Sequence, residues 1–362
     1  MKFINKKEEY HKVNINQSNY NTNYLFTIKY INLFKKINFC FLLTYIKVLL
    51  IIIIYILIYL NLPKLLIKNI NSLKKKHLEP TVCICTLGKS ENRYIREFIK
   101  YYENFGIDKI FLYDNNDKDG ERFEEIINDY INKGFVVLLN WRGKKRSIFK
   151  IMNDCYLRNY KIYNWLVFYE IDEYLYLKNY SNIKTFLSES KFNHCKIIYL
   201  NWVFHTDNNL IQYDNRTLRE RFPFKEPRVR NNSKSFNNPV KSILKGNISN
   251  ININHVHLLN SKIKGCNGFG QTPIFQNYYY MKNADYRYYY IDHYYSKSVE
   301  EFTEKINKGC AFSGGDIKYK LFRIKRYFSI NQISMKKINY IENKTKINLL
   351  IYKKKLNKNY LK

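Results

Sequence analysis

Between residues 81 and 169 the chain alternates short apolar runs with segments whose apolar side chains recur at helical spacing. This alternation restricts the possible fold more than any other feature of the sequence. Strands separated by helices of about 10–15 residues pair in parallel, because the connections cross over the sheet in a right-handed sense. The sequence therefore predicts an α/β fold with a sheet flanked by helices. The predicted strands cover residues 81–86, 109–113, 135–139 and 165–169.

The ends of the helices are marked by residues with known end preferences. Ser90 stands where an N-cap is expected, Ser147 is expected to open the third helix, and Ser298 with Glu301 has the spacing of a capping box. Gly106 and Gly134 follow the last apolar positions of two predicted helices and are expected to end them. No GxGxxG motif follows the first strand and no GxxxxGK(S/T) motif occurs, so dinucleotide-binding and P-loop folds are disfavoured.

An acidic run follows the fourth predicted strand directly, with Glu170, Asp172 and Glu173 around Ile171. Ligands of parallel α/β sheets bind beyond the carboxyl ends of the strands. Glu170 and Asp172 are two positions apart and share a face in extended backbone. Carboxylate oxygens suit Mg²⁺ or Mn²⁺, which also bind phosphate oxygens of a substrate. We therefore expect a divalent metal here, whereas on a helix the same acids would be ordinary solvated surface.

Several stretches resemble segments of the GT-A glycosyltransferases and, more narrowly, of glycosyltransferase family 92. The resemblance covers roughly residues 80–320, and its last stretch is the most specific. The stretches are YDNND (113–117), WLVFYEIDEYLYL (165–177), NWVF (201–204), ERF (220–222), KSI (241–243), NHVH (254–257) and HYYSKSVEEFTEKINKG (293–309).

This resemblance implies a GT-A-like nucleotide-sugar-binding sheet and a metal-dependent hexosyltransferase that inverts the anomeric centre. The implied donor is a nucleotide-diphosphate sugar, with a UDP-sugar expected first. The implied acceptor is a hydroxyl group of a glycan or glycoconjugate. Mn²⁺ or Mg²⁺ is the implied cofactor, and Asp172 matches the position that binds the metal most directly.

Two departures from the family pattern keep an alternative open. Glu170 stands where the family usually has aspartate, which changes the reach of the carboxylate by one methylene. Residues 205–209 stand where the family has a small, glycine-containing stretch, which leaves the acceptor side and the catalytic base open. A catalytically inactive relative that binds a carbohydrate or a nucleotide is therefore the alternative function.

Four residues are candidates for binding the donor. Thr86 closes the first strand and is expected to line the nucleotide pocket. Asp114 follows the second strand, and the resemblance implies that it hydrogen-bonds the base or ribose; an Asx turn is the alternative. Arg146 lies in a basic loop after the third strand and is a candidate diphosphate clamp, with a solvated loop as the alternative. Lys297 is a further candidate phosphate contact.

The third metal ligand and the catalytic base are expected from later segments. The resemblance implies a late histidine as ligand, and His293 is preferred over His257. An inverting transfer also needs a general base near the acceptor hydroxyl. The sequence offers four acids for this role, of which the first two are our candidates: Asp207, Asp292, Glu220 and Asp316.

The formal net charge of +32 is typical of nucleic-acid-binding proteins. Lys, Asn, Ile and Tyr are all abundant and spread along the whole chain, however, which indicates a compositional bias. Binding to a phosphate backbone needs clustered charge, so no nucleic-acid partner is expected. Of the seven cysteines, Cys40 is expected in the membrane segment. The other six are expected to be buried free thiols, with one or two disulfides in a lumenal compartment as the alternative.

Upstream of the α/β pattern lies a long apolar segment. Residues 39–62 are long enough to cross a hydrocarbon core of about 30 Å. The predicted organisation is a disordered polar tail (1–36), a transmembrane anchor (37–62), a basic stem (63–79), a GT-A-like domain (80–320) and a basic helical extension (321–362). We expect a single-pass membrane protein whose catalytic domain lies in a Golgi- or ER-like lumen if the source is eukaryotic. Lysines at both ends leave the orientation open, while sequons at Asn215, Asn231, Asn247 and Asn343 fit a lumenal domain.

Overall fold

The computed structural model describes residues 21–59, 79–145, 147–226, 239–260, 262–277, 279–282, 286–309 and 316–359. The chain divides into two compact units, Met1–His77 and Leu78–Lys362. In the first unit the described residues form one helix, α1 (Asn21–Tyr59), which no glycine or proline interrupts. This helix begins inside the segment 1–36 that we expected to be disordered, so that prediction is wrong for residues 21–36.

The predicted anchor (37–62) overlaps α1 in sequence, and the predicted stem (63–79) follows it. Among the described residues, no helix is both long and apolar enough to cross a membrane. The anchor predicted at residues 37–62 therefore has no support from the structure. Residues 1–20 of the predicted tail and nearly all of the predicted stem lie outside the described residues.

The described residues of the second unit form a mixed sheet of nine strands. Its strands, with those of a separate hairpin, are β1 (Val82–Gly88), β2 (Lys109–Asp114), β3 (Val136–Asn140), β4 (Trp165–Val167), β5 (Glu173–Leu177), β6 (Ile197–Phe204), β7 (Val240–Lys245), β8 (Cys266–Asn267), β9 (Ile274–Asn277), β10 (Tyr280–Lys282) and β11 (Tyr289–His293). The order across the sheet is β3-β2-β1-β4-β7-β6-β11-β5, with β8 beside β6, while β9 and β10 form the hairpin.

The first half of the sheet matches the prediction. β1 pairs in parallel with β2 and β4, and β2 pairs in parallel with β3. Three helices connect these strands: α2 (Asn92–Asn104), α3 (Glu124–Asn132) and α4 (Ile148–Asn159). The predicted α/β fold with flanking helices is thus confirmed. Gly106 and Gly134 lie beyond α2 and α3 at φ +86° and +70°, a conformation that glycine adopts at little cost. Ser147 directly precedes α4, as expected. The N-cap residue of α2 is Glu91, so the prediction of Ser90 is wrong.

The second half of the sheet differs from the parallel pattern. β7 lies between β4 and β6 and is antiparallel to both. β11 is parallel to β6, and β5 is antiparallel to β11 at the edge. β4 ends at Val167, two residues earlier than predicted, because the chain turns over residues 168–172 before it enters β5. The acidic run consequently lies in a turn between a central strand and an edge strand.

The remaining helices are α5 (Ile183–Leu187), α6 (Leu218–Arg221), α7 (Val299–Asn307), α8 (Ile317–Ile330), α9 (Met335–Thr345) and α10 (Leu350–Asn359). The predicted boundary between residues 320 and 321 is wrong, because it falls inside α8. Ile324 and Ile338 are fully buried in the main core, and the rings of Phe302 and Tyr327 stack at 4.2 Å. The predicted C-terminal extension is therefore part of the same folded unit.

Among the described residues of this unit, two disulfides form cross-links. Cys85–Cys155 joins β1 to α4, and Cys195–Cys266 joins the segment before β6 to β8. The prediction of free thiols is wrong for these four residues, which form disulfides as in the alternative, while the compartment stays a prediction. Cys83 is free and buried. The residues that each disulfide joins are 70 and 71 positions apart, so each restricts the unfolded chain substantially.

Reduction should therefore destabilise the protein. We expect dithiothreitol to lower the free energy of unfolding by about 2–4 kcal/mol per disulfide. The double variant Cys85→Ala/Cys155→Ala should lose part of this sensitivity, whereas Cys83→Ala should keep all of it. Thermal unfolding of the three proteins with and without reductant measures the effect. An unchanged Tm in wild-type protein under reduction would contradict the disulfide assignment.

Candidate active site

A cavity of about 670 Å³ opens at the carboxyl ends of the parallel strands. The end of β1 contributes Leu87 to its lining, and the loops after β2 and β3 contribute Asn115 and Lys144. The turn after β4 contributes Glu170 and Asp172. The end of β11 and the helices α7 and α8 complete the wall. The acidic run therefore lies where the sequence predicts a ligand site.

Asp172 is the most strongly held carboxylate of this cavity. Its side chain is 5% exposed, and its Oδ2 lies 2.5 Å from Nζ of Lys305. Its Oδ1 lies 3.5 Å from Nε2 of His293. Burial alone would raise the pKa of Asp172, but Lys305 and His293 outweigh it and hold the pKa well below its usual value. Asp172 is consequently an ionised carboxylate at neutral pH.

Glu170 and Glu173 share a second lysine. Nζ of Lys241 lies 2.8 Å from Oε1 of Glu170 and 3.3 Å from Oε1 of Glu173. The surrounding protein disfavours the charge of Glu170, but Lys241 outweighs this and lowers its pKa to about 2. The Glu170 side chain remains 43% exposed, whereas Glu173 is fully buried. Burial raises the pKa of Glu173 well above its usual value, although Lys241 opposes this.

The donor atoms of a cation site are present at this turn. One ligand atom each of Asp172, Glu173 and His293 lie within 4.8 Å of one another. Neither ring nitrogen of His293 has a hydrogen-bond partner among the described residues, and burial lowers the pKa of this imidazole, so it is neutral. Buried polar groups normally have hydrogen-bond partners, so a buried neutral imidazole next to the ionised Asp172 fits a metal ligand. This donor set suits a divalent cation.

The predicted donor residue Asp114 forms hydrogen bonds within the loops next to the cavity. Its Oδ2 accepts from Nη1 of Arg142 at 2.7 Å, and its Oδ1 accepts from the backbone N–H of Asn116 at 2.9 Å. Asp114 does not line the cavity, but the neighbouring Asn115 and Asp117 do. The alternative interpretation as a turn residue agrees with these contacts.

The other predicted donor residues also lie off the lining. Thr86 is buried within β1 and lines no part of the cavity. Lys297 is buried over the ring of Tyr94, at 3.4 Å from its centroid, and its Nζ lies 3.4 Å from Glu91. Its contact with the cavity is indirect, through Glu91, which does line it. Arg146 lies outside the described residues.

Neither candidate base lies in the cavity. Asp292 precedes His293 on β11, and successive side chains of a strand point to opposite faces. Asp292 therefore faces away from the acidic turn and pairs with Nε2 of His205 at 2.6 Å. Asp207 is buried against Lys337, whose Nζ lies 2.6 Å away, and accepts a hydrogen bond from Tyr327. The two other acids cap helices: Glu220 closes a capping box at α6, and Asp316 is the N-cap residue of α8.

Two lysines of the site were not predicted. Lys241 lies in the KSI stretch and Lys305 in the stretch 293–309, both of which carry the resemblance. Both lysines lie in segments that resemble the family, but the sequence alone does not indicate which carboxylates they contact. The capping box of Ser298 and Glu301, by contrast, was predicted from spacing and is confirmed at α7.

The fold and the site together define an α/β protein that holds a carboxylate–imidazole cluster beyond the ends of its parallel strands. This chain belongs to glycosyltransferase family 92, whose sequence profile matches residues 79–345. It is 32% identical over 114 residues to a family 92 protein of Oryza sativa subsp. japonica and 30% identical over 105 residues to one of Arabidopsis thaliana. Each alignment covers 28% of this chain, and they span 19% and 18% of the relatives' own lengths.

The solved structures that match this chain include those of TarS of S. aureus. The chain of TarS 1–349 in complex with UDP matches with a TM-score of 0.33 at 10% identity, over 73% of this chain and 80% of that one. The complex with UDP-GlcNAc matches with a TM-score of 0.34 at 10% identity, over 73% and 79%. These similarities are distant.

The ion pairs of Lys241 can be tested by measuring the free energy of unfolding. Lys241→Met leaves the carboxylates of Glu170 and Glu173 without their shared cation, and breaking a buried pair costs about 3–5 kcal/mol. We expect this loss in urea unfolding at pH 7 and a smaller loss at pH 5, because carboxyl groups without the lysine protonate at higher pH. Lys245→Met on the same strand is the matched control. Equal stability of the two variants at pH 7 would contradict the assignment.

Proposed function

We propose that this protein transfers a sugar from a nucleotide-diphosphate sugar to a hydroxyl group of a glycan, with a divalent metal at Asp172. One observation carries the proposal. In a chain that belongs to glycosyltransferase family 92, an acidic cluster with a neutral imidazole and a set of basic side chains line the same cavity. A diphosphate donor that binds through a divalent cation needs acidic side chains to hold the cation and basic side chains to contact the phosphates.

The cavity has the size and lining for such a donor. Its volume of about 670 Å³ is within the range of small-molecule sites. Asn115, directly after β2, offers an amide for a nucleoside, and Leu87, near the end of β1, offers an apolar surface. A UDP-sugar is our expected donor, on the family resemblance.

Asp172 and His293 would hold the metal, with Glu170 or Glu173 as the further carboxylate. A bound Mn²⁺ or Mg²⁺ would supply positive charge for a departing diphosphate. The protein's own part is to keep Asp172 ionised and in place, which Lys305 does from α7. We expect the general base of an inverting transfer among the acids that line the cavity, because Asp207 and Asp292 do not line it.

A second candidate is a relative that binds a nucleotide or carbohydrate without catalysis. The specific observation in its favour is that the acidic turn already carries its own cations. Lys305 lies 2.5 Å from Asp172, and Lys241 lies 2.8 Å from Glu170. A metal would have to compete with these lysines for the carboxylates, whereas simple ligand binding would not require one.

Donor hydrolysis separates the two candidates. With Mn²⁺ present, the wild-type protein should release UDP from a UDP-sugar, and a chelator should stop the release. Asp172→Asn should lower the rate by about 10²-fold or more, because the group that fixes the positive charge is lost. Asp129→Asn, a surface carboxylate paired with Arg96, is the control and should keep the wild-type rate. Donor binding without turnover in any glycan screen would favour the second candidate.

We also propose that the second unit matures in an oxidising compartment of a secretory pathway. Its two disulfides are the support, because such bonds persist where thiols are not kept reduced. The sequon residues Asn215, Asn247 and Asn343 are exposed, as a modified asparagine must be. Sequon Asn231 lies outside the described residues. Membrane attachment through residues 37–62 stays a prediction from the sequence.

Glycosylation tests the compartment. Expressed in a eukaryotic secretory host, the protein should gain mobility on a denaturing gel after treatment with an N-glycosidase, because exposed sequons in the lumen accept glycans. Asn215→Gln and Asn247→Gln should each remove one step of the shift. Asn250→Gln, exposed on the same turn but outside a sequon, should leave it unchanged. A mobility that the glycosidase does not alter would contradict a lumenal location.

A further inference from the structure

Helix α8 presents a basic face to the cavity. Arg323 and Arg326 are three positions apart and both line the cavity, together with Tyr319 one turn earlier. Side chains at this spacing lie on one face of a helix. Both arginines lie in the segment 321–362, which was predicted from the sequence to be an extension outside the catalytic domain.

These two arginines differ from the other basic residues of the cavity that have carboxylate partners. Lys89 pairs with Asp117, Lys305 with Asp172, and Lys308 with Glu91. Among the described residues, neither Arg323 nor Arg326 forms an ion pair with a carboxylate.

Their guanidinium groups instead gather around one aromatic ring. Cζ of Arg323 lies 4.3 Å from the ring centroid of Tyr295, and Cζ of Arg326 lies 5.7 Å from it. Nζ of Lys305 lies 5.5 Å from the same centroid. Three cations thus surround a single ring, and one carboxylate, Asp172, balances only Lys305. This part of the cavity carries an excess of positive charge.

Buried hydrogen-bond donors point to a ligand at the same place. Tyr295 and Trp202 both line the cavity. The hydroxyl of Tyr295 and Nε1 of Trp202 are buried and have no hydrogen-bond partner among the described residues. The two side chains are 1% and 5% exposed. Such groups are costly to bury without an acceptor. Burial would lower the pKa of Arg323, but Tyr295, Tyr319 and the acidic turn raise it overall, so the guanidinium stays charged.

We propose that Arg323 and Arg326 form a phosphate-binding wall on α8 that takes the diphosphate of the ligand. The forked guanidinium matches two phosphate oxygens at once, and the unpartnered donors of Tyr295 and Trp202 add hydrogen bonds to the same anion. That the diphosphate belongs to a nucleotide sugar rests on the proposed function. The anion site itself depends only on the charges and donors of the cavity.

Inorganic pyrophosphate is the probe, because it carries the diphosphate without nucleoside or sugar. Isothermal titration of the full chain at low salt should give at least about tenfold weaker binding for Arg323→Gln/Arg326→Gln than for wild type. The control is Lys318→Gln/Lys325→Gln, which removes the same charge from exposed positions of α8 and should bind as wild type does. Affinity of wild type should fall with salt more steeply than that of the arginine variant.

Equal pyrophosphate affinity in the arginine and control variants would overturn the proposal. If the glutamine variant does not fold, Arg323→Lys/Arg326→Lys keeps the charge but removes the fork. Loss of affinity in that variant supports the wall, and full retention overturns bidentate binding. The outcome is independent of donor turnover. A wild-type protein that binds pyrophosphate through these arginines yet hydrolyses no nucleotide sugar would reject the proposed function and keep the wall.

Discussion

The acidic turn exists because two lysines neutralise it. Three carboxyl groups lie within four residues, and burial raises the cost of each charge that they carry. Lys241 from β7 and Lys305 from α7 offset this cost by direct contact. The insertion of an antiparallel strand between β4 and β6 places Lys241 beneath the turn, and the packing of α7 places Lys305 beside it. The arrangement of the second half of the sheet is thus coupled to the chemistry of the site.

The first half of the sheet could be predicted because its signals are local. Apolar runs, helical periodicity and the glycines at 106 and 134 each act within a few residues. The second half depends on pairings between distant segments, such as β11 with both β6 and β5. The contacts of Lys241 and Lys305 likewise bridge 71 and 133 positions. No spacing rule in one sequence specifies such partners, and the cysteine pairs were missed for the same reason.

Simple geometry explains where two predictions differ from the structure. His293 and Asp292 are adjacent on a strand, so they do not both face the acidic turn. The assignment of that strand would have been enough to place Asp292 on the opposite face. The boundary at residue 320 followed from the basic composition of the C-terminal segment. The periodic apolar positions of α8, including Ile324 and Tyr327, were the better guide, because they pack in the main core.

The neighbourhood of the free thiol has a consequence for biogenesis. Cys83, Cys85 and Cys155 are buried in one apolar cluster, and the first two lie on the same face of β1. During oxidative folding Cys155 can meet either strand cysteine. Capture of the wrong one would displace α4 along the strand by two residues, about 7 Å, and would carry the Lys144 loop away from the cavity. Assembly of a competent molecule therefore includes a choice between two thiols, and an isomerase that corrects this choice would control the yield of active protein.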